Sequence, residues 1–160
     1  MKAFALEERI RTAVDLALGA WTTGLGRNYT ILGAWDEAGQ AVRGTNLKRT
    51  GVVIDVSVSP AAFERPGLNK ATFDCILSAT FDNASRPSSQ SSFIETCSAL
   101  ERLIFTWMMS RESLTSDLSV DGIDPFAVLA TGGTPPTYDP TQNQWSVIFS
   151  FRVSAVVTLK

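Results

Sequence analysis

Side chains that could carry out catalysis are scarce in this sequence of 160 residues. It contains no histidine, and histidine is the commonest general base and the commonest metal ligand in proteins. A Ser–His or Cys–His nucleophile is therefore impossible within one chain. Cys75 and Cys97 do not make a zinc site by themselves, and both lie on apolar faces of predicted elements. We expect two buried, reduced thiols, we assign no catalytic, cofactor or metal site, and we predict that the protein is not an enzyme.

Carboxylates are the remaining candidates for chemistry, because they bind hard cations such as Mg²⁺ and Ca²⁺. Asp121 and Asp124 are the best local pair, three residues apart and beside a glycine. Aspartate is also a common turn residue, so a turn is the simpler interpretation. Asp74 and Asp82 fall on the polar face of a predicted strand, where contact with solvent or a partner explains them. A small metal-binding or enzymatic domain that uses carboxylates stays the alternative hypothesis.

The clearest element in the chain is a helix predicted over residues 92–111 (SFIETCSALERLIFTWMMSR). Ser92 and Glu95 match a capping box, in which each side chain satisfies one free backbone N–H of the first turn. Apolar side chains then recur at steps of three and four, which places them on one face: Phe93, Cys97, Leu100, Ile104 and Trp107. Another amphipathic helix is predicted at about residues 4–20.

Segments with the alternating pattern of strands precede and follow this helix. Residues 52–58 (VVIDVSV) and 72–82 (TFDCILSATFD) predict two antiparallel strands, because the link between them is too short for a helical crossover. A bent strand at 118–130 and a long strand from Trp145 to the C-terminus complete the pattern. Pro125 predicts a bulge or an edge position, since proline has no N–H to donate to a ladder.

One sheet of about four mainly antiparallel strands, covered by two helices, buries all of these apolar faces. The order α-β-β-α-β-β therefore predicts an α+β two-layer sandwich. Residues 29–35 could form a further short strand. We expect residues 1–160 to form a single domain, with a long polar loop or arm at 36–50 and further loops at 63–70 and 131–141.

The composition of the sequence argues against several classes of function. Hydrophobic residues make up 44% of the chain and the formal net charge is −2, with acids and bases mixed. A dedicated nucleic-acid-binding protein normally shows a basic stripe, and none is visible. Charged residues interrupt the N-terminal segment, so it does not resemble a signal peptide. No run reaches the roughly 18 apolar residues of a membrane span, and we expect no membrane partner.

The order of elements and the segments VVIDVSVSP, ATFDCILSATFD and QWSVIFSFRVSAVV resemble those of the tail terminator, or tail-completion, proteins of long-tailed bacteriophages. These are also described as head–tail joining or minor tail proteins. The resemblance covers most of the chain. It implies a structural virion protein of the tail neck, assembled in the cytoplasm of the bacterial host. Other neck, tail-tube and baseplate subunits of phages look similar and form the alternative.

The resemblance also implies a set of partners. The family forms a ring, commonly a hexamer, that ends tail-tube polymerisation and joins tail to head. The expected partners are further copies of the chain, the tail-tube protein and a head-completion or connector protein, while DNA passes through the lumen without specific binding. The family has no catalytic residues and no cofactor to carry over. Loops would reach these neighbours, although a solvated loop explains the 36–50 segment equally well. The candidate interface residues are Trp35, Arg43, Lys48, Arg49, Arg65 and Tyr138.

Overall fold

The computed structural model describes residues 2–21, 29–32, 52–82 and 90–158. These residues form three helices and six strands. The bounds, in chain order, are α1 Lys2–Trp21, β1 Tyr29–Leu32, β2 Val52–Val58, β3 Ala62–Phe63, β4 Lys70–Asp82, α2 Gln90–Met109, α3 Arg111–Leu118, β5 Ile123–Asp139 and β6 Gln144–Val157.

All six strands belong to one mixed sheet with the order β1-β2-β4-β6-β5. The short β3 pairs with the beginning of β4, on the edge that β2 occupies further along. β1 runs parallel to β2, and every other pair is antiparallel. In the described part of the chain, β1 and β5 are therefore the two lateral edges of the sheet.

The helices cover one face of this sheet. Along β2 and β4, and along most of β6, every second side chain is buried, as a sheet with one covered face requires. α1 packs on β2, α2 packs on β4 and β5, and α3 packs on β5 and on both other helices. Ring centroids lie 6.3 Å apart between Phe93 and Phe81, and 6.0 Å apart between Trp107 and Phe151. The predicted α+β two-layer fold is confirmed, although the described residues form six strands and three helices instead of about four strands and two helices.

The structure contains a helix, α3, that the sequence pattern did not predict. Only Leu114 and Leu118 of its eight residues are buried, so it carries too little apolar periodicity to be recognised. Ser110 begins it: the backbone there is extended, and the hydroxyl accepts the N–H of Ser113 at 3.2 Å. The same extended residue ends α2 at Met109, and α2 starts at Gln90, so Ser92 does not hold the predicted cap position.

β5 begins later and ends later than the sequence pattern predicted: it starts at Ile123 and not at residue 118, because Leu118 is the last residue of α3. Residues 131–141 were expected to be a loop because of their glycines and prolines, but β5 continues through Asp139. The strand tolerates prolines because it is an edge strand with three register shifts against β6. One shift follows Pro125, which confirms the bulge and edge position predicted there. The short β3 was likewise expected to be a loop.

Candidate interaction surface

The predicted interface residues do not form one site. Trp35, Arg43, Lys48 and Arg49 lie outside the described residues, as does the whole 36–50 arm. Arg65 is exposed in the turn between β3 and β4. Tyr138 lies near the far end of β5, opposite Trp145 of β6. β4 runs from the end of the sheet that holds Arg65 to the end that holds Tyr138, and it has 13 residues. Arg65 and Tyr138 therefore lie at opposite ends of the sheet, about 40 Å apart.

Tyr138 packs within its own hairpin. Its ring centroid is 5.3 Å from that of Trp145, and its hydroxyl donates to Asn143 Oδ1. The side chain is 38% exposed. These contacts stabilise the end of the β5–β6 hairpin, so Tyr138 is ordered before any partner arrives. Its role as an interface residue stays a prediction.

The carboxylate pair lies in a tight turn. Asp121 and Asp124 flank the link between α3 and β5, where Val120 and Ile123 exchange backbone hydrogen bonds of 2.8 and 3.2 Å. Gly122 has a φ of 81°, which suits glycine in such a turn. Within residues 2–21, 29–32, 52–82 and 90–158, no group of three or more Cys, Asp or Glu side chains is arranged to hold a metal. The geometry favours the turn interpretation.

The two cysteines are free thiols. Cys75 is buried in β4, and burial raises the pKa of its thiol far above the usual range. Cys97 on α2 is half-buried, and burial raises its pKa from 9.0 to about 11. Both stay protonated near neutral pH, and a neutral thiol is a poor nucleophile and a poor metal ligand. Cys97 is less buried than the sequence pattern predicted.

A buried ion pair fixes α1 to the sheet. The Arg11 guanidinium donates to Glu7 Oε2 at 2.8 Å and to Glu8 Oε1, and its Nε donates to the Leu32 carbonyl of β1 at 2.7 Å. Arg11 and Glu7 are 7% and 4% exposed. Sequence analysis saw these residues only as charges in the N-terminal segment. The sequence did contain a signal for the ion pair, because Glu7 and Glu8 precede Arg11 by four and three residues, the spacing of paired side chains on a helix. The role of these residues is structural.

α2 exposes a second apolar surface. Its flank towards β5 carries large side chains at steps of three and four, and several are strongly exposed: Ile94 59%, Phe105 50%, Met108 38% and Met109 88%. Phe93, Cys97, Glu101, Phe105 and Pro136 of β5 are among the residues that line a groove of about 690 Å³ along this flank. We call it the α2 groove. It is larger than a second depression, of about 400 Å³, which residues of all three helices line.

A smaller apolar projection lies on the lateral side of the sheet away from β5, the side of β2. Phe63 and Leu68 are 48% and 44% exposed, at the two ends of the tight link between β3 and β4. Within it, the Leu68 N–H donates to the Arg65 carbonyl at 3.2 Å, and Gly67 has a φ of 84°. Residues 63–68 are called the β3–β4 turn below. Sequence analysis had predicted it as a loop that reaches neighbours, and had singled out Arg65.

The face of the sheet opposite the helices is mainly polar, but it also carries exposed apolar side chains. Ile76, Ile148 and Leu129 are 47%, 37% and 60% exposed, and Arg152 Nε donates to Asp74 Oδ1 at 2.9 Å across β4 and β6. Both charged groups are solvent-exposed, so their pairing contributes little to stability. This confirms the polar face predicted for Asp74. The side chain of Asp82 lies outside the described set.

Comparison with known proteins gives a likeness in structure but none in sequence. No family profile matches the sequence, and no curated protein matches it. Among solved structures, a chain from "Virion of native gene transfer agent (GTA) particle" superposes with a TM-score of 0.50 at 13% identity. The match covers 91% of this chain and 93% of that one. At this identity the likeness establishes a shared fold. None of the described helices is long and apolar enough to cross a membrane.

Proposed function

We propose that this chain is a structural subunit of a phage-like virion, and more narrowly a tail terminator that forms a ring at the head-proximal end of the tail tube. The observation that carries the proposal is the fold, shared over nine-tenths of both chains with a chain of a gene transfer agent virion. The resemblance of element order to tail terminator proteins supports the same class from the sequence. The proposal assigns no catalytic step to the chain.

The shape of the sheet is compatible with a ring. A closed ring needs a heterologous contact, in which one side of each subunit meets the opposite side of the next. The sheet has two different lateral edges, β1 and β5. Two of the exposed apolar surfaces also lie on different sides, with the α2 groove beside β5 and the β3–β4 turn on the β2 side. Such a division suits head-to-tail association.

The proposed partners follow from the position in the virion. One end of the ring would contact the last tail-tube subunits, and the other would contact a head-completion or connector protein. The lumen would let DNA pass without sequence-specific binding. The net charge of −2 is compatible with such a lumen, because a strongly basic surface would hold the phosphate backbone. A neck, tail-tube or baseplate subunit with the same fold is the alternative.

The decisive experiment measures assembly. Light scattering on the purified chain, with negative-stain images of the same sample, should reveal rings of about six copies with a central hole. Purified tail tubes are then added. A terminator caps one end of each tube and stops its growth, whereas a tube subunit adds along the length. A chain that stays monomeric alone, and neither caps nor joins tubes, contradicts the proposal.

A further inference from the structure

We propose that the α2 groove of one copy receives the β3–β4 turn of the next copy, so that this contact closes the ring. The inference rests on the proposed function, because it names the surfaces through which the ring subunits meet. It commits to a second copy of this chain as the occupant of the groove.

The first argument is position. β5 is one lateral edge of the sheet, and Pro136 of β5 lines the groove. β3 pairs with the opposite edge of β4, on the side of β2. When copies are placed side by side around a ring, all in the same orientation, the groove side of each copy meets the turn side of the next. Because the turn lies at the end of the sheet where β4 begins, this contact requires each sheet to be tilted against the ring axis, so that the turn meets the middle of the neighbouring α2.

The second argument is the match of shape and polarity. The groove is a concave strip of α2 between exposed Ile94, Phe105 and Met109. The turn is a convex, hydrogen-bonded projection with Phe63 and Leu68 half-exposed. Exposed apolar surfaces that face one another across a contact are removed from water together. Neither surface is covered by the described part of the same chain.

The third argument is charge. Glu101 and Arg102 line the middle of the groove strip, and Glu64 and Arg65 are exposed in the turn between Phe63 and Leu68. Each surface therefore carries one acid beside one base, and the proposed contact pairs them crosswise, with Arg65 facing Glu101 and Glu64 facing Arg102. An arginine–carboxylate pair flanked by apolar contacts fixes the register of an interface and speeds association.

The test is a charge exchange. Arg65→Glu and Glu101→Arg should each raise the protein concentration needed for half-assembly by about tenfold or more, while the double variant should return to within about threefold of the wild type. Arg152→Glu is the control, because it makes the same charge change on the uncovered sheet face and should assemble normally. Circular dichroism checks that every variant is folded. If the single variants assemble like the wild type, or if the double variant gives no recovery, the inference is overturned.

Cross-linking gives an independent readout. In a Cys97→Ser background, Leu68→Cys together with Ser98→Cys places one thiol in the turn and one beside the groove. A short bismaleimide should then produce a ladder of covalent multimers that ends at the ring size. Replacing Leu68→Cys with Leu16→Cys, on exposed α1, should give no ladder. A wild type that forms rings, with no ladder from the first pair, overturns the inference and leaves the proposed function standing. A wild type that forms no ring, alone or on tubes, overturns both.

Discussion

The two long sides of α2 show how one helix can serve both folding and assembly. The side towards the sheet is closed: Leu100 and Trp107 are at most 1% exposed. The side along the α2 groove is open, with Phe105 and Met109 at least half exposed. Both sides carry large apolar residues at helical spacing, so hydrophobicity alone does not distinguish them. The two sides differ because the chain's own sheet buries one of them. The open side is then available to another molecule.

The largest expected effect lies on the closed side. Trp107→Ala removes the packing against Phe151 and the hydrogen bond from Nε1 to Asp117 Oδ2 at 2.8 Å. We expect a loss of about 3–5 kcal/mol in the free energy of unfolding, measured by urea denaturation. Trp107→Phe keeps most of the packing and loses the hydrogen bond, so it should cost only about 1–2 kcal/mol. Equal losses for the two variants would show that the hydrogen bond, and not the packing, holds α2 to α3.

The second prediction concerns β5, the strand whose Pro136 lines the groove. Gly133 has a φ of 143°, and a Cβ added there would lie 2.2 Å from the Ile148 carbonyl oxygen of β6. Gly133→Ala should therefore cost about 2–4 kcal/mol through backbone strain and displaced pairing. Gly132 is a matched control, because its φ is 141° but nothing lies within 4 Å of its added Cβ. Gly132→Ala should cost the strain alone, about 1–2 kcal/mol.

Hydrogen exchange locates the effect of Gly133→Ala. Backbone amides of β6 that face β5 should lose protection, whereas amides of β2 should keep it, since local opening of an edge strand does not require opening of the whole sheet. Because Pro136 lies on the same stretch of β5, the variant should also weaken assembly. Unchanged protection along β6 would mean that β5 shifts its register without cost.

The third prediction separates stability from assembly on the open side. Phe105→Ser changes a half-exposed residue, so the free energy of unfolding of the monomer should change by less than about 1 kcal/mol. The same change should raise the half-assembly concentration by about tenfold or more, since large aromatic side chains at the centre of an interface dominate its affinity. Leu16→Ser, on an α1 residue that is 70% exposed, is the control and should change neither quantity. A large loss of monomer stability in Phe105→Ser would place that side chain in the core.

The sequence pattern predicted the closed side of α2 better than the open side, for a physical reason. A period of 3.6 identifies the face that packs on the sheet, and Phe93, Leu100, Ile104 and Trp107 are all buried as predicted. The exposed residues on the adjacent flank follow the same period. Only the sheet's position shows which of two apolar flanks remains uncovered. Alternation identified β4 and β6 for the same reason.

Irregular segments were the ones that sequence reasoning missed. β5 beyond Ala130 contains two glycines and two prolines, which local propensity assigns to a loop, yet pairing with β6 keeps it in the sheet. Tertiary pairing here overrides propensity. Of the predicted interface residues, Arg65 lies in one of the two proposed contact surfaces, because the 63–70 loop was expected to reach neighbouring subunits. Glu101 of the other proposed surface was not predicted, since a charged residue on a helix is normally only a solvated group.

The smallest expected effect uses the Cys97 thiol as a reporter of the open side. Its pKa is raised from 9.0 to about 11 in the folded chain, so between these values the unfolded chain loses a proton that the folded chain keeps. The folded state then binds more protons, and stability falls as pH rises above about 9. Because Cys97 is only half-buried, solvent screening keeps the loss near 1 kcal/mol at pH 10. The measurement is the change in the free energy of unfolding between pH 7 and pH 10, which should be about 1 kcal/mol more unfavourable for the wild type than for Cys97→Ser.

The same thiol can report whether the groove is occupied. At pH 8 the raised pKa should make alkylation of Cys97 at least about tenfold slower than that of an ordinary thiol. If a neighbouring copy covers the α2 groove, assembly should slow the alkylation further, and Arg65→Glu should abolish that additional protection at the same protein concentration. Cys75 is buried in both states and serves as the internal control. Protection that appears on assembly and persists in Arg65→Glu would mean that a different surface covers the open side of α2.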